Sequence, residues 1–198
     1  MPGATYLFST LMADDKKSLA QGLRERDPEL LDRLIEQYQY RLLRYLLYIT
    51  GSQERAEDFF QETWIRVLER GHQYDARFKF EAWLFTIARN LVIDWQRQKR
   101  AQSLDALTDP EEGNGFEIVD EKAESPLRLL LQGEERQTVQ ASLEKLPAAY
   151  REVLLLRFHE EMQLDEIARI QAMPISTVKS RLYRGLDALK GLLAGGAA

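Results

Sequence analysis

The chain has 198 residues, 44% of them hydrophobic, with 27 Lys and Arg against 32 Asp and Glu and a formal net charge of -5; this allows one ordinary domain or two small ones with a proper core and excludes disorder throughout. It contains no cysteine, and its two histidines, His72 and His159, lie far apart without ligand-type neighbours, so disulfides and thiolate metal sites are excluded and no metal or other cofactor is expected. No run reaches the roughly 18 apolar residues of a membrane span, and the opening "MPGATYLFSTLMADDKK" has no basic leader; the expectation is a soluble, cytoplasmic protein without membrane insertion or small-molecule substrate.

Residues 1–18 read as an N-terminal extension, within which Met12 of "MADDKK" offers an alternative start. A short helix is predicted around Leu19 to Glu25. Asp27-Pro28-Glu29 then opens a long one: Asp as N-cap, Pro at the first helical position, and an acid near the positive helix end. Leu30, Leu31, Leu34, Ile35, Tyr38, Leu42, Leu46 and Ile49 follow at three-to-four spacing until Gly51 stops the helix. Ser52 caps the next helix, which buries Ala56, Phe59, Phe60, Thr63, Trp64, Val67 and Leu68 and is predicted to end at Gly71. After a loop, "GHQYDARFK", a third long helix carries Trp83, Leu84, Ile87, Ala88, Leu91, Val92 and Trp95 and runs into "WQRQKR".

Residues 101–126 change character. They hold eight acids against Lys122 alone, a net of -7, so the rest of the chain is +2. With Pro, Gly and Asn and no helical period, the stretch reads as a flexible acidic linker between two helical blocks, 19–100 and 127–198. In the second block "QGEERQTVQASLEKL" is helical, Pro147 opens a helix through "AAYREVLLLRFH", "LDEIARI" makes a short one, and a break at "QAMP" precedes a last helix. Helix, short helix, tight turn, helix is the outline of a helix-turn-helix. The fold class expected is all-α: two small helical domains, the C-terminal one a helix-turn-helix.

The last helix turns Val178, Leu182, Leu186 and Leu189 to one face and Ser176, Thr177, Lys179, Ser180, Arg181, Tyr183 and Arg184 to the others. A basic amphipathic helix is usually a solvated surface. Here small hydroxyls and Arg at its N-terminal end, just after a short helix and tight turn, supply the groups that contact phosphates and read base edges in a major groove. Trp64 and Trp83 sit at core spacings, whereas Trp95 borders the basic residues Arg97, Lys99 and Arg100 and can serve packing or base stacking. The loop holding Tyr74, Asp75, Arg77, Phe78 and Lys79 is polar and aromatic with no evident packing reason for that set; a loop on a rigid scaffold can catch splayed bases. On the second long helix Asp58, Gln61, Glu62 and Arg66 form a polar face. Its acids lack a matching His, Ser or Gly-rich phosphate loop, so no enzyme is expected.

Taken together, "AEDFFQETWIRVLE" and "FEAWLFTIARNLVIDWQRQKR" resemble the second region of bacterial sigma factors of the two-domain extracytoplasmic-function group. "LPAAYREVLLLRFHEEMQLDEIARIQAMPISTVKSRLYRGLDAL" resembles the fourth. The resemblance implies a subunit that binds core RNA polymerase, recognises two promoter DNA elements and helps to open the duplex. It implies that Asp58, Gln61, Glu62 and Arg66 face the clamp helices of the largest polymerase subunit. It implies that Tyr74, Asp75, Arg77, Phe78 and Lys79, with Arg89, Asn90, Asp94, Arg97, Lys99 and Arg100, engage the minus-ten element and a flipped base. By the same resemblance Ser176, Thr177, Lys179, Ser180, Arg181, Tyr183 and Arg184 read the minus-thirty-five element, and an anti-sigma factor is a further expected partner. The chain departs from the family pattern at Ala76 and Glu161, where Gly is common, and at Gln171-Ala172, where Leu-Gly is typical.

A linker of 26 residues spans at most about 90 Å extended and about 30 Å as a coil, against roughly 70 Å for two turns of B-DNA. It can connect two sites but not hold their spacing, which points to the polymerase as ruler. The acidic linker would also repel free DNA, so weak promoter binding without core enzyme is expected. Two other readings are a free-standing helix-turn-helix regulator acting as a dimer and an all-helical protein-interaction adaptor. The adaptor leaves the basic end at Arg97 to Arg100 and the Arg-rich last helix unexplained.

Overall fold

The computed structural model describes residues 18–104, 139, 142–143 and 145–195, which form helices joined by short turns and irregular connections, with no strand among them. Helix α1 covers residues 18–25, α2 Pro28–Thr50, α3 Gln53–Arg70 and α4 Phe80–Leu104. In the second block α5 is Ala148–Leu154, α6 Leu164–Ile170 and α7 Ile175–Gly195.

The predicted punctuation of the first block holds. Asp27 accepts from the backbone N–H groups of Glu29 and Leu30, Gly51 takes the left-handed conformation at φ 66, Ser52 accepts from Arg55 N, and α3 ends at Gly71. There Gly71 keeps a right-handed backbone, φ -54, and opens a 3₁₀ turn, Gly71–Gln73. Its reason is space: a Cβ there would collide with the carbonyl oxygen of Leu23, so glycine lets α1 cross closely over the end of α3.

Leu42, Tyr45 and Leu46 of α2, Ala56 and Val67 of α3, and Leu84, Phe85, Ala88 and Val92 of α4 are fully buried where the three long helices meet. Each such leucine contributes about 1.5–3 kcal/mol of burial. The second block packs Val153 and Leu156 against Ile167, Ile170, Val178 and Leu182. A Cβ added at Gly185 would meet Tyr150 and Leu154 at 3.2–3.4 Å, so glycine there lets α7 lie close to α5.

Two boundaries differ from expectation. Helix α4 continues past residue 100 to Leu104, because "AQSL" carries no breaker and the acids begin only at Asp105. The rest of the acidic linker and most of the helix predicted from Gln132 lie outside the described residues. The helix expected to run through His159 widens at Leu155–His159 into a π turn, with Glu160 N donating to Leu155 O at 3.0 Å. That wider turn delivers Glu160 into a buried position, its side chain 0% exposed.

Candidate nucleic-acid interface

Helix α6 is held at its start by a capping box in which Gln163 N donates to Glu166 Oε2 at 2.7 Å. The turn that follows is tied by Gln171 N to Ile167 O, Ala172 N to Arg169 O and Met173 N to Ala168 O, at 2.9, 3.1 and 3.0 Å. Ala172 sits at φ 51 and Glu161, before α6, at φ 55. These are two of the positions where the resemblance would put glycine, and the chain keeps the left-handed backbone without it. Ala76 has no positive φ.

With the turn set, α7 buries Val178 and Leu182 and leaves Ser176, Lys179, Ser180, Tyr183 and Arg184 exposed, with Thr177 and Arg181 half-buried. Thr177, Ser180, Arg181 and Arg184 line a groove of about 380 Å³ against Pro147, Ala148, Ala149 and Tyr150 at the start of α5. Hydroxyls and guanidinium groups facing one groove suit a phosphate backbone and neighbouring base edges. No ion pair is drawn from Lys179, Arg181 or Arg184 among the described residues.

On α3 the structure groups Asp58, Gln61, Glu62 and Arg66 on one accessible side. Arg66 pairs with Glu62 at 3.0 Å and Glu69 at 3.2 Å. Ile65 and, against the expectation of burial, Leu68 lie exposed beside them at 48% and 39%. A mixed polar and apolar strip of this kind suits a protein partner more than a nucleic acid.

The loop at residues 74–79 is built on packing that sequence reasoning did not anticipate. Tyr74 is buried, its ring set 5.8 Å from Phe80 and 5.4 Å from Trp83, and its hydroxyl donates to Phe78 O at 2.8 Å. Burial, then the neighbouring Asp75 carboxylate, pushes the Tyr74 phenol up to about 12. Asp75 is chelated by Arg77 through Nε and Nη2 and accepts from Arg77 N at 3.0 Å. These bonds hold its carboxyl below the usual range. Tyr74 is therefore scaffold, and Arg77, the most exposed member, is braced in position.

Along α4, Asn90, Asp94, Arg97 and Lys99 are exposed. Trp95 is half-buried, with Phe59 edge-on at 6.0 Å, the Arg55 guanidinium over its ring at 4.4 Å and Lys99 at 5.6 Å. Those contacts give Trp95 packing partners on α3 and on its own helix. Arg100 is helical, but its side chain lies outside the described residues.

Arg89 does not join the exposed set. It is buried and its Nε donates to Glu152 Oε1 on α5 at 2.8 Å. The same carboxylate oxygen accepts from the Tyr45 hydroxyl at 2.8 Å. Burial, then Glu152, pushes the Tyr45 phenol well above its ordinary value and keeps it a proton donor. Around this bond the two blocks meet through opposite charges. Arg41 and Arg44 each reach Glu160 at 2.8 Å, and Arg41 also reaches Glu81 at 2.7 Å. Lys79 pairs with Glu166 at 3.0 Å, and the Arg169 guanidinium stacks 3.9 Å over the Phe78 ring. Glu152 and Glu160 were not among the sequence candidates. Their signal was faint: Glu152 is a lone acid entering the apolar run "VLLL".

Residues 34–102 match the family model Sigma-70 region 2, and residues 136–189 match Sigma-70, region 4. The ECF RNA polymerase sigma factor SigW of Bacillus subtilis is 32% identical over 177 residues, covering 88% of this chain and 94% of its own. The chain belongs to the ECF RNA polymerase sigma factors. SigM of the same organism is 31% identical over 162 residues, 82% of this sigma factor and 94% of its own length. A solved structure of the sigma factor RpoE in complex with the anti-sigma factor NepR from Bartonella quintana shares the fold, with a TM-score of 0.63 at 22% identity over 82% of this chain and 96% of that one. As a sigma factor the protein is a transcription initiation factor that binds core RNA polymerase and recognises promoter DNA. Two sigma regions in this order favour neither the free-standing regulator nor the adaptor. No described helix is long and apolar enough to cross a membrane.

Proposed function

We propose a residue-level division of labour within this sigma factor. Asp58, Gln61, Glu62 and Arg66, with Ile65 and Leu68 beside them, dock on the clamp helices of the largest polymerase subunit. Arg77, Phe78 and Lys79, with Asn90, Asp94, Arg97, Lys99 and Arg100 on α4, take up the minus-ten strand and a flipped base. Tyr74 and Asp75 hold that loop in shape, and Arg89 joins it only when Glu152 is withdrawn. Flipping a base costs a few kcal/mol, which a preformed loop offsets by trapping the base. Ser176, Thr177, Lys179, Ser180, Arg181, Tyr183 and Arg184 read the minus-thirty-five element. The protein works in the cytoplasm without catalytic chemistry of its own, and an anti-sigma factor controls it.

The observation that carries the reading is the outward set of α7, where cations without intramolecular ion pairs among the described residues line a groove beside small hydroxyls. The test is in vitro transcription with purified core RNA polymerase on fragmented DNA from the source organism, mapping RNA start sites. New starts sharing two upstream motifs, lost on Arg181→Ala plus Arg184→Ala, are expected. DNA binding by the protein alone with no new starts would instead support a free-standing regulator.

A further inference from the structure

Trp95 holds two cations that come from different helices. Measured from its ring centre, the Arg55 guanidinium of α3 at 4.4 Å and the Lys99 ammonium of α4 at 5.6 Å lie no more than about 10 Å apart. Neither residue enters an ion pair among the described residues, nor does the exposed Arg97 nearby. Arg55 had an acid within reach. Asp58 stands three residues on, at a spacing where helical charges pair, and Arg66 further along α3 does pair, with Glu62 and Glu69. Arg55 turns instead to the indole of α4. An aromatic ring orients a cation without neutralising it, so the guanidinium keeps its charge and the edge donors that suit phosphate oxygens. Two like charges held on one ring repel each other, and an anion beside both offsets that repulsion.

We propose that Arg55 and Lys99, set in place by Trp95, form a binding site for a phosphate of the DNA backbone. The proposal rests on the reading of Arg97 and Lys99 as DNA-binding and adds to it a residue of the other helix. Arg55 belongs to α3, whose Asp58, Gln61, Glu62 and Arg66 are proposed to face polymerase. It lies at the start of that helix, where the end of α4 meets it, and so joins the two surfaces. The site takes up phosphate and reads no base, which makes its contribution independent of promoter sequence.

Helix geometry limits where on the DNA this phosphate lies. From Phe80, which follows the loop, to Lys99 the helix rises about 28 Å. A strand carries one phosphate per about 3.4 Å of duplex axis. The contacted phosphate therefore lies within about eight nucleotides of the base that the loop takes up. Since α4 leads on toward the second helical block, it lies on the side of the minus-thirty-five element.

The test is binding of the holoenzyme to a duplex fragment carrying a mapped promoter, titrated at several salt concentrations. Arg55→Gln keeps part of the stem over the ring and removes the charge. One phosphate contact contributes about 0.9 to the slope of log K against log salt, and the variant should lose about that much. Extrapolated from about 1 M to physiological salt, this is about fivefold in affinity. Arg55→Lys returns the charge and should return the slope, while Arg33→Gln, which removes an exposed charge from α2, should leave it unchanged. Neutral methylphosphonates placed one at a time along that stretch of backbone locate the contact. One of them should weaken wild type by a similar factor and leave Arg55→Gln unaffected. Affinity of Arg55→Gln for core polymerase without DNA should equal that of wild type. A fall there with the salt slope intact assigns Arg55 to the polymerase surface and overturns the proposal. Slope and core affinity both unchanged overturn it as well, leaving Arg55 a cover for the indole. Arg97→Ala plus Lys99→Ala separates the underlying reading: promoter affinity and slope that survive this variant remove the end of α4 from DNA. Slope lost there but kept in Arg55→Gln removes only Arg55.

Discussion

The loop at residues 74–79 and the outward face of α7 are both basic, both carried on helical scaffolds and both proposed to meet DNA, yet the chain treats their charges in opposite ways. Arg77 is chelated by Asp75, Lys79 and Arg89 are paired with carboxylates of the other region, and Phe78 is covered by Arg169. On α7, Lys179 and Arg184 face solvent, and Arg181 and Arg184 line one groove. The difference teaches that a basic residue becomes a DNA contact only after its intramolecular partners are counted. Charge that is already paired must be released before it can displace counterions from a phosphate.

The strongest way to break the comparison is to move the loop's foundation. Gly71→Ala puts a Cβ into the Leu23 carbonyl, where backbone rather than a flexible side chain must give way. A destabilisation of about 1–3 kcal/mol is expected, the range for overpacking a tight contact. Denaturant titration measures it, and minus-ten recognition should fall while isolated binding through α7 is kept. Next comes the open side. Arg184→Ala should weaken promoter binding by about 1–3 kcal/mol if it reads a base, or lower the salt slope of binding by about one if it contacts phosphate. Titrations at several salt concentrations decide between these, and an unchanged affinity and slope would remove Arg184 from the interface.

Much of the architecture was readable because helix punctuation is local. Asp27, Gly51 and Ser52 act through their own backbone neighbourhood, and the structure has them capping as their chemistry requires. The two faces of α7 were readable for the same reason, since Val178 and Leu182 inward leave Lys179 and Arg184 outward by helical period alone. Gly71 marked the end of α3, but the reason it must be glycine was hidden, because it depends on Leu23, far away in sequence. Tyr74 misled because its partners Phe80 and Trp83 are assembled by the turn it begins. The pairing of Arg89 with Glu152 spans 63 positions, and no periodicity encodes it. Sequence therefore displayed the groups on the loop but not their occupancy.

A smaller effect sharpens the covered side. Phe78→Ala and Arg169→Ala form a double-mutant cycle across the two regions, and the 3.9 Å stack should couple them by about 0.5–2 kcal/mol. If the stack exists only when the regions are closed, the coupling should vanish in a Glu152→Ala plus Glu160→Ala background. A coupling that persists there would mean that Arg169 holds Phe78 independently of the Glu152 and Glu160 contacts.

The smallest expected effect bears on how the open side is held in register. Ala172 sets the turn into α7 at φ 51, a conformation costing an L-residue roughly 1–2 kcal/mol. Glycine removes that cost but adds about 0.4–1 kcal/mol of unfolded-state entropy. The first term wins, so Ala172→Gly should stabilise the C-terminal region by about 0.5 kcal/mol and leave DNA affinity unchanged. Ala76 provides the internal control. Its φ is not positive, so Ala76→Gly meets only the entropic term and should destabilise by about 0.4–1 kcal/mol. Opposite signs at two alanines that both stand where glycine is common follow from one dihedral angle. Equal signs in paired denaturant titrations would mean that the turn before α7 relaxes in solution.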